Sequence, residues 1–205
     1  MTQRSNSRIA AVVLAAGNSY RMGKAKQLLP LGNSTVLERT LKNLQDSTVD
    51  EFILVLGASA EAIQKQLTVS RNLKTVLNPD LGGGMSSSLR KGLSAINPDI
   101  AAALIVLADQ PFVQPVTFNQ IIEAYRRSEA RIVIPIHNGS RGNPVLLDRS
   151  IFPEVMALKG DTGVRAIFEQ HTEEIAKVEV ADPGILLDID NKEDYERLRI
   201  LEPGN

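Results

Sequence analysis

Four short apolar runs constrain this chain more than any other feature. Residues 9–15 (IAAVVLA), 52–56 (FILVL), 102–108 (AALIVLA) and 131–136 (RIVIPI) are near-continuous rather than alternating, and each ends at turn-type residues. A strand reads this way when both of its faces are covered, as in a parallel sheet sandwiched between helices. Residues 73–77 (LKTVL) alternate instead, as expected of a strand nearer an edge. Helical periods lie between the runs. Val36, Leu37, Thr40, Leu41 and Leu44 make one apolar stripe, and Thr35 with Glu38 has capping-box spacing. Thr117 with Gln120 repeats that spacing ahead of Phe118, Ile121, Ile122 and Tyr125, and residues 61–67 and 85–96 suit two further helices. The alternation predicts a Rossmann-like three-layer α/β/α fold with a mostly parallel central sheet.

The second half is less regular. HNGSRGNPVLLD (137–148) reads as a strand, a glycine-rich turn and another strand, and GDTGVRAIFEQ (160–170) as a turn entering a helix. ILLDIDNKEDYERLRI (185–200) predicts a last short strand and a final helix capped by Asn191. With 205 residues and no linker, repeat or low-complexity segment, one domain over 8–205 is expected, after a flexible N-terminus at 1–7. A formal charge of −1 argues against a nucleic-acid partner but leaves room for a small anion held by a local basic cluster. The absence of cysteine removes disulfides, thiolate nucleophiles and Cys-ligated metals. The polar start MTQRSNSR has no signal-peptide h-region, and no apolar run approaches the roughly 20 residues of a membrane helix. A cytoplasmic protein with no membrane partner is expected. His137 and His171 lack metal-site spacing and suit surface or packing roles.

Chemistry concentrates where strands end. In LAAGNSYRMGKAKQLLP (14–30) a small-residue turn follows the first run and carries Arg21, Lys24 and Lys26. Ligands of open α/β sheets sit outside the carboxyl ends of the strands, so these cations belong on that rim. Glycine there lets backbone N–H groups approach an anion, and Arg21 and Lys26 could neutralise phosphate. The alternative is a solvated basic loop. Neither GxGxxG nor GxxxxGK[ST] is present. Asp109, in ADQP at the end of the third run, would share the rim and suit Mg²⁺, which binds one or two carboxylates plus phosphate oxygens; a turn aspartate is the alternative. Asp188 and Asp190, two residues apart on a predicted strand, would lie on one face. In LGGGMSSSLRKG (81–92) glycines and serines could read a base or ribose, or simply cap a helix.

Taken in order, these segments resemble the MobA-like nucleotidyltransferases. LAAGNSYRMGKAKQLLPLG matches LAAGxSxRMGxxKxLLPxxG, and the likeness continues through NPDLGGGMSSSLRKG, ADQP, RGNPVLL, GDTGVR and DIDNKEDY, from residue 14 to residue 195. The similarity is greatest to the branch of molybdenum cofactor cytidylyltransferases. It implies a fold of the nucleotide-diphospho-sugar transferase type and transfer of CMP from CTP to Mo-molybdopterin, with release of pyrophosphate and Mg²⁺ as cofactor. It also implies CTP and a phosphorylated pterin acceptor as partners, with a molybdoenzyme apo-protein or its chaperone as recipient. On this resemblance Arg21, Lys26 and Asp109 are catalytic. Leu14, Ala15, Ala16, Gly17, Ser86, Ser87 and Ser88 join them in binding the nucleotide, and Asp109 and Asp190 hold the metal. Arg141, Asn143, Asp161 and Asp188 fall on the acceptor side. Asn143 stands where the family often has His, in RGHP, and Asn191 where DIDT is usual. Ala16 differs from the LAGG of guanylyltransferases and points toward CTP. Other readings of the same residues are a nucleotidyltransferase for a sugar phosphate or methylerythritol phosphate or using GTP, a cofactor-binding or delivery protein, and a nicotinamide oxidoreductase.

Overall fold

The computed structural model describes residues 4–17, 25–67, 73–80 and 82–201. In chain order these give β1 (Ile9–Ala15), a 3-10 turn (Lys26–Leu28), β2 (Pro30–Leu31), β3 (Ser34–Thr35), α1 (Val36–Gln45), β4 (Glu51–Leu56), α2 (Ala60–Gln66) and β5 (Leu73–Leu77). There follow α3 (Gly84–Leu93), β6 (Ala102–Leu107), α4 (Pro115–Arg127), β7 (Ile132–His137), β8 (Ser140–Arg141), β9 (Val145–Asp148), α5 (Phe152–Ala157), β10 (Ile175–Glu179) and α6 (Lys192–Arg199). The main sheet runs β10-β7-β9-β6-β1-β4-β5, with β8 pairing on β7. β1 lies parallel to both β4 and β6, and β5 is parallel to β4 at one edge. β9 alone on this path runs antiparallel to both neighbours, β6 and β7. The expected three-layer, mostly parallel sheet is therefore present, with one reversed strand set into it.

Alternation along β1 divides the core. Ile9, Ala11, Val13 and Ala15 pack with Leu37, Leu41 and Leu44 of α1 and Phe118, Ile121 and Ile122 of α4. Ala10 and Val12 face the opposite layer, with Leu89 and Leu93 of α3 and Phe152 and Val155 of α5. A strand buried on both faces needs apolar residues at every position, which is why β1 reads as an unbroken run. The capping box of α1 forms as its spacing predicts: Glu38 N–H donates to Thr35 Oγ1 at 3.2 Å, and Thr35 N–H to Glu38 at 2.9 Å.

Three local expectations are corrected. Thr117 caps nothing: α4 starts two residues earlier at Pro115, and the Thr117 hydroxyl donates to Asp182 at 2.6 Å. Asp182 also accepts the Gln114 N–H at 2.9 Å, so a distant carboxylate orders this helix start. The strand expected around DIDN is absent. Asp182 and Pro183 open a 3-10 turn (Pro183–Leu186), and residues 187–190 join no ladder, although the Ile189 N–H donates to the Asp109 carbonyl at 3.1 Å. The last strand is β10 instead, where Ala176 and Val178 alternate with exposed Lys177 and Glu179. Finally, Val164–Glu174 is 3-10 in character and kinks at His171 rather than forming an α-helix.

The kink serves a charge cluster. His171 is buried between two carboxylates, its Nδ1 on Glu174 and its Nε2 on Glu154 at 2.6 Å, while Arg131 holds Glu174 at 3.1 Å. These hydrogen bonds, Glu174 first, outweigh burial and raise the imidazole above its usual pKa; the same bond, then Arg131, lowers Glu174. At the other end of the chain Arg4 pairs with Asp148 at 3.2 Å and stacks over the Tyr125 ring at 4.7 Å.

Candidate active site

The carboxyl ends of β1 and β6 open onto a cleft of about 640 Å³. Its floor is Leu14, Ala16, Gly17, Leu107 and Ala108. One wall carries Asn78, Asp80, Gly82, Gly84, Met85 and Ser88, and the mouth carries Lys26, Asp109, Asp161, Asp188 and Asp190. A second cavity, of about 450 Å³, lies apart from these carboxylates between Phe112, Val116, Leu187 and Leu201.

Lys26 organises the mouth. It sits on the 3-10 turn that re-enters the sheet, and its ammonium bridges Asp109 and, at 3.2 Å, Asp190. Burial works against the charge, but Asp109 and then Asp190 more than compensate, so the Lys26 pKa is raised and the group stays protonated. Asp109 follows β6 directly, with Ala108 N–H bound to the Leu14 carbonyl at 3.2 Å. Asp190 reaches it because the Ile189 N–H is fixed on the Asp109 carbonyl, although the two acids are not on one strand. Asp188 is held above the usual carboxylate range by desolvation and by the negative charge of Asp190. Asp109 and Asp190, two carboxylates that share one cation at the mouth, suit a hard divalent ion that takes one or two carboxylates and completes its shell with phosphate oxygens.

Gln27, the neighbour of Lys26, gave no signal in the sequence. It is 2% exposed, and its Nε2 donates to the carbonyls of Ala15 at 3.1 Å and Gly17 at 3.5 Å. Its Oε1 is buried with no partner among the described residues. The amide staples both ends of the basic loop and accepts that loss, which marks a position kept for what it holds in place.

The wall opposite is built from α3. A Cβ on Gly83 would fall 2.7 Å from the Cβ of Ser87, and one on Gly84, with φ +64, would fall 2.5 Å from the backbone of Asp161, so glycine lets these loops close. Asp161 accepts the Met85 N–H at 3.1 Å and the Gly160 carbonyl accepts that of Ser86 at 3.3 Å, tying the GDTG turn to the start of α3.

The structure thus brings together Leu14, Ala16, Gly17, Lys26, Ser88, Asp109, Asp161, Asp188 and Asp190 around one cleft. Ala15 packs into the core, while Ser86 is engaged with Gly83 and Arg90, and Ser87 with Asn78, Asp80 and Gly84. Arg141 stacks on Phe168 at 5.4 Å, and Asn143 N–H donates to the Ile185 carbonyl at 3.1 Å; neither lines the cleft. Arg21 lies outside the described residues.

A three-layer sheet of this topology, with Lys26 and the carboxylates on one rim, defines a nucleotidyltransferase of the nucleotide-diphospho-sugar transferase fold. The chain belongs to the MobA-like NTP transferase domain family, whose model matches residues 11–175, and this family works on a nucleoside triphosphate and a phosphorylated acceptor. It is 27% identical over 191 residues to a molybdenum cofactor cytidylyltransferase of Escherichia coli K12, covering 92% of this chain and 94% of that protein. It is 28% identical over 199 residues to a nicotine blue oxidoreductase of Paenarthrobacter nicotinovorans, covering 93% and 96%. A solved manganese complex of Rv0371c from Mycobacterium tuberculosis H37Rv superimposes with a TM-score of 0.79 at 32% identity, covering 95% of this chain and 99% of that one. No helix among the described residues is long and apolar enough to cross a membrane.

Proposed function

We propose that the protein is a divalent-metal-dependent cytidylyltransferase that transfers CMP from CTP to the terminal phosphate of Mo-molybdopterin. The observation that carries this reading is the single ammonium of Lys26 shared by Asp109 and Asp190 at the mouth of the cleft. An oxygen of the acceptor phosphate bonds to the α-phosphorus in line, the bond to the bridging oxygen breaks, and its electron pair leaves with pyrophosphate. Such a transfer needs alignment and neutralisation of charge rather than a protein nucleophile. Lys26, with Arg21 five residues before it in sequence, neutralises the α-phosphate and the departing pyrophosphate. Asp109 and Asp190 would hold Mg²⁺, which supplies Lewis-acid polarisation of the phosphate oxygens. Ala16 in place of a second glycine favours CTP over GTP. Asp161 and Asp188, which line the cleft, are assigned to the acceptor, and Arg141 and Asn143, which do not, are assigned to it on the family resemblance alone.

A second reading is kept because the similarity to the oxidoreductase spans as much of the chain as that to the cytidylyltransferase. One panel separates them: thermal unfolding with CTP, GTP, UTP, ATP or NADH, each with and without Mg²⁺. A ligand at about 100 times its Kd stabilises by roughly 2.7 kcal/mol, which for a chain this long raises Tm by about 5–10 °C. The expected result is a magnesium-dependent shift largest for CTP. A shift led by GTP or UTP would retain the nucleotidyl transfer and change the donor. A shift with NADH alone would overturn the proposal.

A further inference from the structure

Asn78, just beyond β5, is a buried polar side chain that opens one of the segments of the family resemblance but was given no role there. It is 4% exposed, and both polar atoms of its amide are hydrogen-bonded. The Asp80 backbone N–H donates to its Oδ1 at 3.1 Å. Because a backbone N–H can only donate, the orientation of the amide is fixed, and Nδ2 must be the donor on the other side. It donates there to Ser87 Oγ at 2.8 Å and to Ser88 Oγ at 3.1 Å.

The polarity then propagates. Ser87 accepts from Asn78 and passes its own proton to carbonyls that can only accept, Gly84 at 2.8 Å and Asp80 at 3.1 Å. Ser88 accepts from Asn78 in the same way, so its own O–H remains a donor, and Ser88 lines the cleft at 7% exposure. No acceptor for that proton is found among the described residues. The apolar floor beneath, Leu14, Ala16 and Leu107, suits the flat face of a base better than a phosphate.

The geometry points to Asn78 as the residue that sets nucleotide preference, by locking the Ser88 hydroxyl as a hydrogen-bond donor toward an acceptor atom of the bound base. This rests on the nucleotide reading above. Asn78 does not touch the nucleotide; it is a positioning residue acting through Ser88. Asn78→Asp keeps the shape and still accepts the Asp80 N–H, but it has no proton to give. Both serine hydroxyls must then turn inward to donate to the new carboxylate, and Ser88 presents a lone pair to the cleft instead of a proton.

The test is the affinity of the wild type, Asn78→Asp and Ser88→Ala for the Mg²⁺ complexes of CTP, UTP, GTP and ATP, by titration calorimetry, with circular dichroism to verify the fold. The readout is the ratio between the best nucleotide and the other three, because a new carboxylate repels every triphosphate alike and cancels from a ratio. We expect that ratio to fall about tenfold in both variants, the usual effect of one directed hydrogen bond in a closed site. Ser88→Ala alone decides the matter if Asn78→Asp does not fold. A ratio within twofold of wild type in the folded variants would overturn the role of Asn78 and leave nucleotide binding intact. A wild type that binds none of the four would overturn both.

Discussion

Lys26 keeps two acids together that would otherwise repel, and that makes it the residue whose loss should be felt most. Lys26→Met and Asp109→Asn are each expected to lower pyrophosphate release by about 10²–10³-fold, the scale on which removing one preorganised charge-stabilising group slows a transfer reaction. Far-ultraviolet circular dichroism should show both variants folded, and turnover near that of the wild type in either would remove it from the mechanism. At this scale the sequence was legible where charge is set close to an apolar run. Lys26, Asp109 and Asp190 stand out against apolar runs, and they do meet. Gln27 and Asn78 were not legible, because their partners are two carbonyls and two hydroxyls brought near only by the fold. An amide in a loop announces nothing until its neighbours are known.

Among the elements, α3 has the most exacting position, since it carries Ser88 and its start is tied to the GDTG turn. It lies close against the sheet because Gly92 has no side chain: a Cβ there would fall 2.3 Å from Val12 and 3.0 Å from Val55. Both neighbours are stiff β-branched residues inside the core, so Gly92→Ala must lift the helix. A loss of about 1–3 kcal/mol is expected from overpacking, read as a fall in the urea midpoint with an unchanged m-value. An unchanged midpoint would mean that the layer gives way freely. Elements with strong periods, β1, β4, β6 and α1, were legible almost to the residue. Two of the failures, β10 and the stretch around DIDN, share a cause. One is a short edge strand half covered by its neighbours, and the other an extended segment held to the end of β6 by the Ile189 N–H on the Asp109 carbonyl. Neither has the length or repetition from which a period can be read.

For the molecule as a whole, the sheet was written in the apolar runs, while the joints between its parts were not. The His171 cluster is such a joint, linking α5, the kinked turns and β7 through Arg131. Its imidazole is raised above the ordinary value of 6.5, so the folded state binds the proton more tightly than the unfolded chain does. The stabilisation it adds is complete below that value and is lost as pH climbs through the higher folded one. Glu174, lowered from 4.5, contributes in the opposite sense, and its share fades as pH falls below that value. His171→Gln should therefore cost on the order of 1 kcal/mol, or about 2–4 °C in Tm, near pH 5.5, with a smaller cost at a pH well above the raised imidazole value. Equal costs at both pH values would show that packing, not charge, holds the joint. The reversed strand β9 has a different consequence. Parallel strands bring their ends to the working rim, whereas β9 brings its beginning, and with it Arg141, Gly142 and Asn143. The rim is thus written in separate passages of chain that arrive from opposite directions. Lengthening or rewording the turn before β9 would remodel the ground beside the cleft and leave the lining of the cleft itself standing.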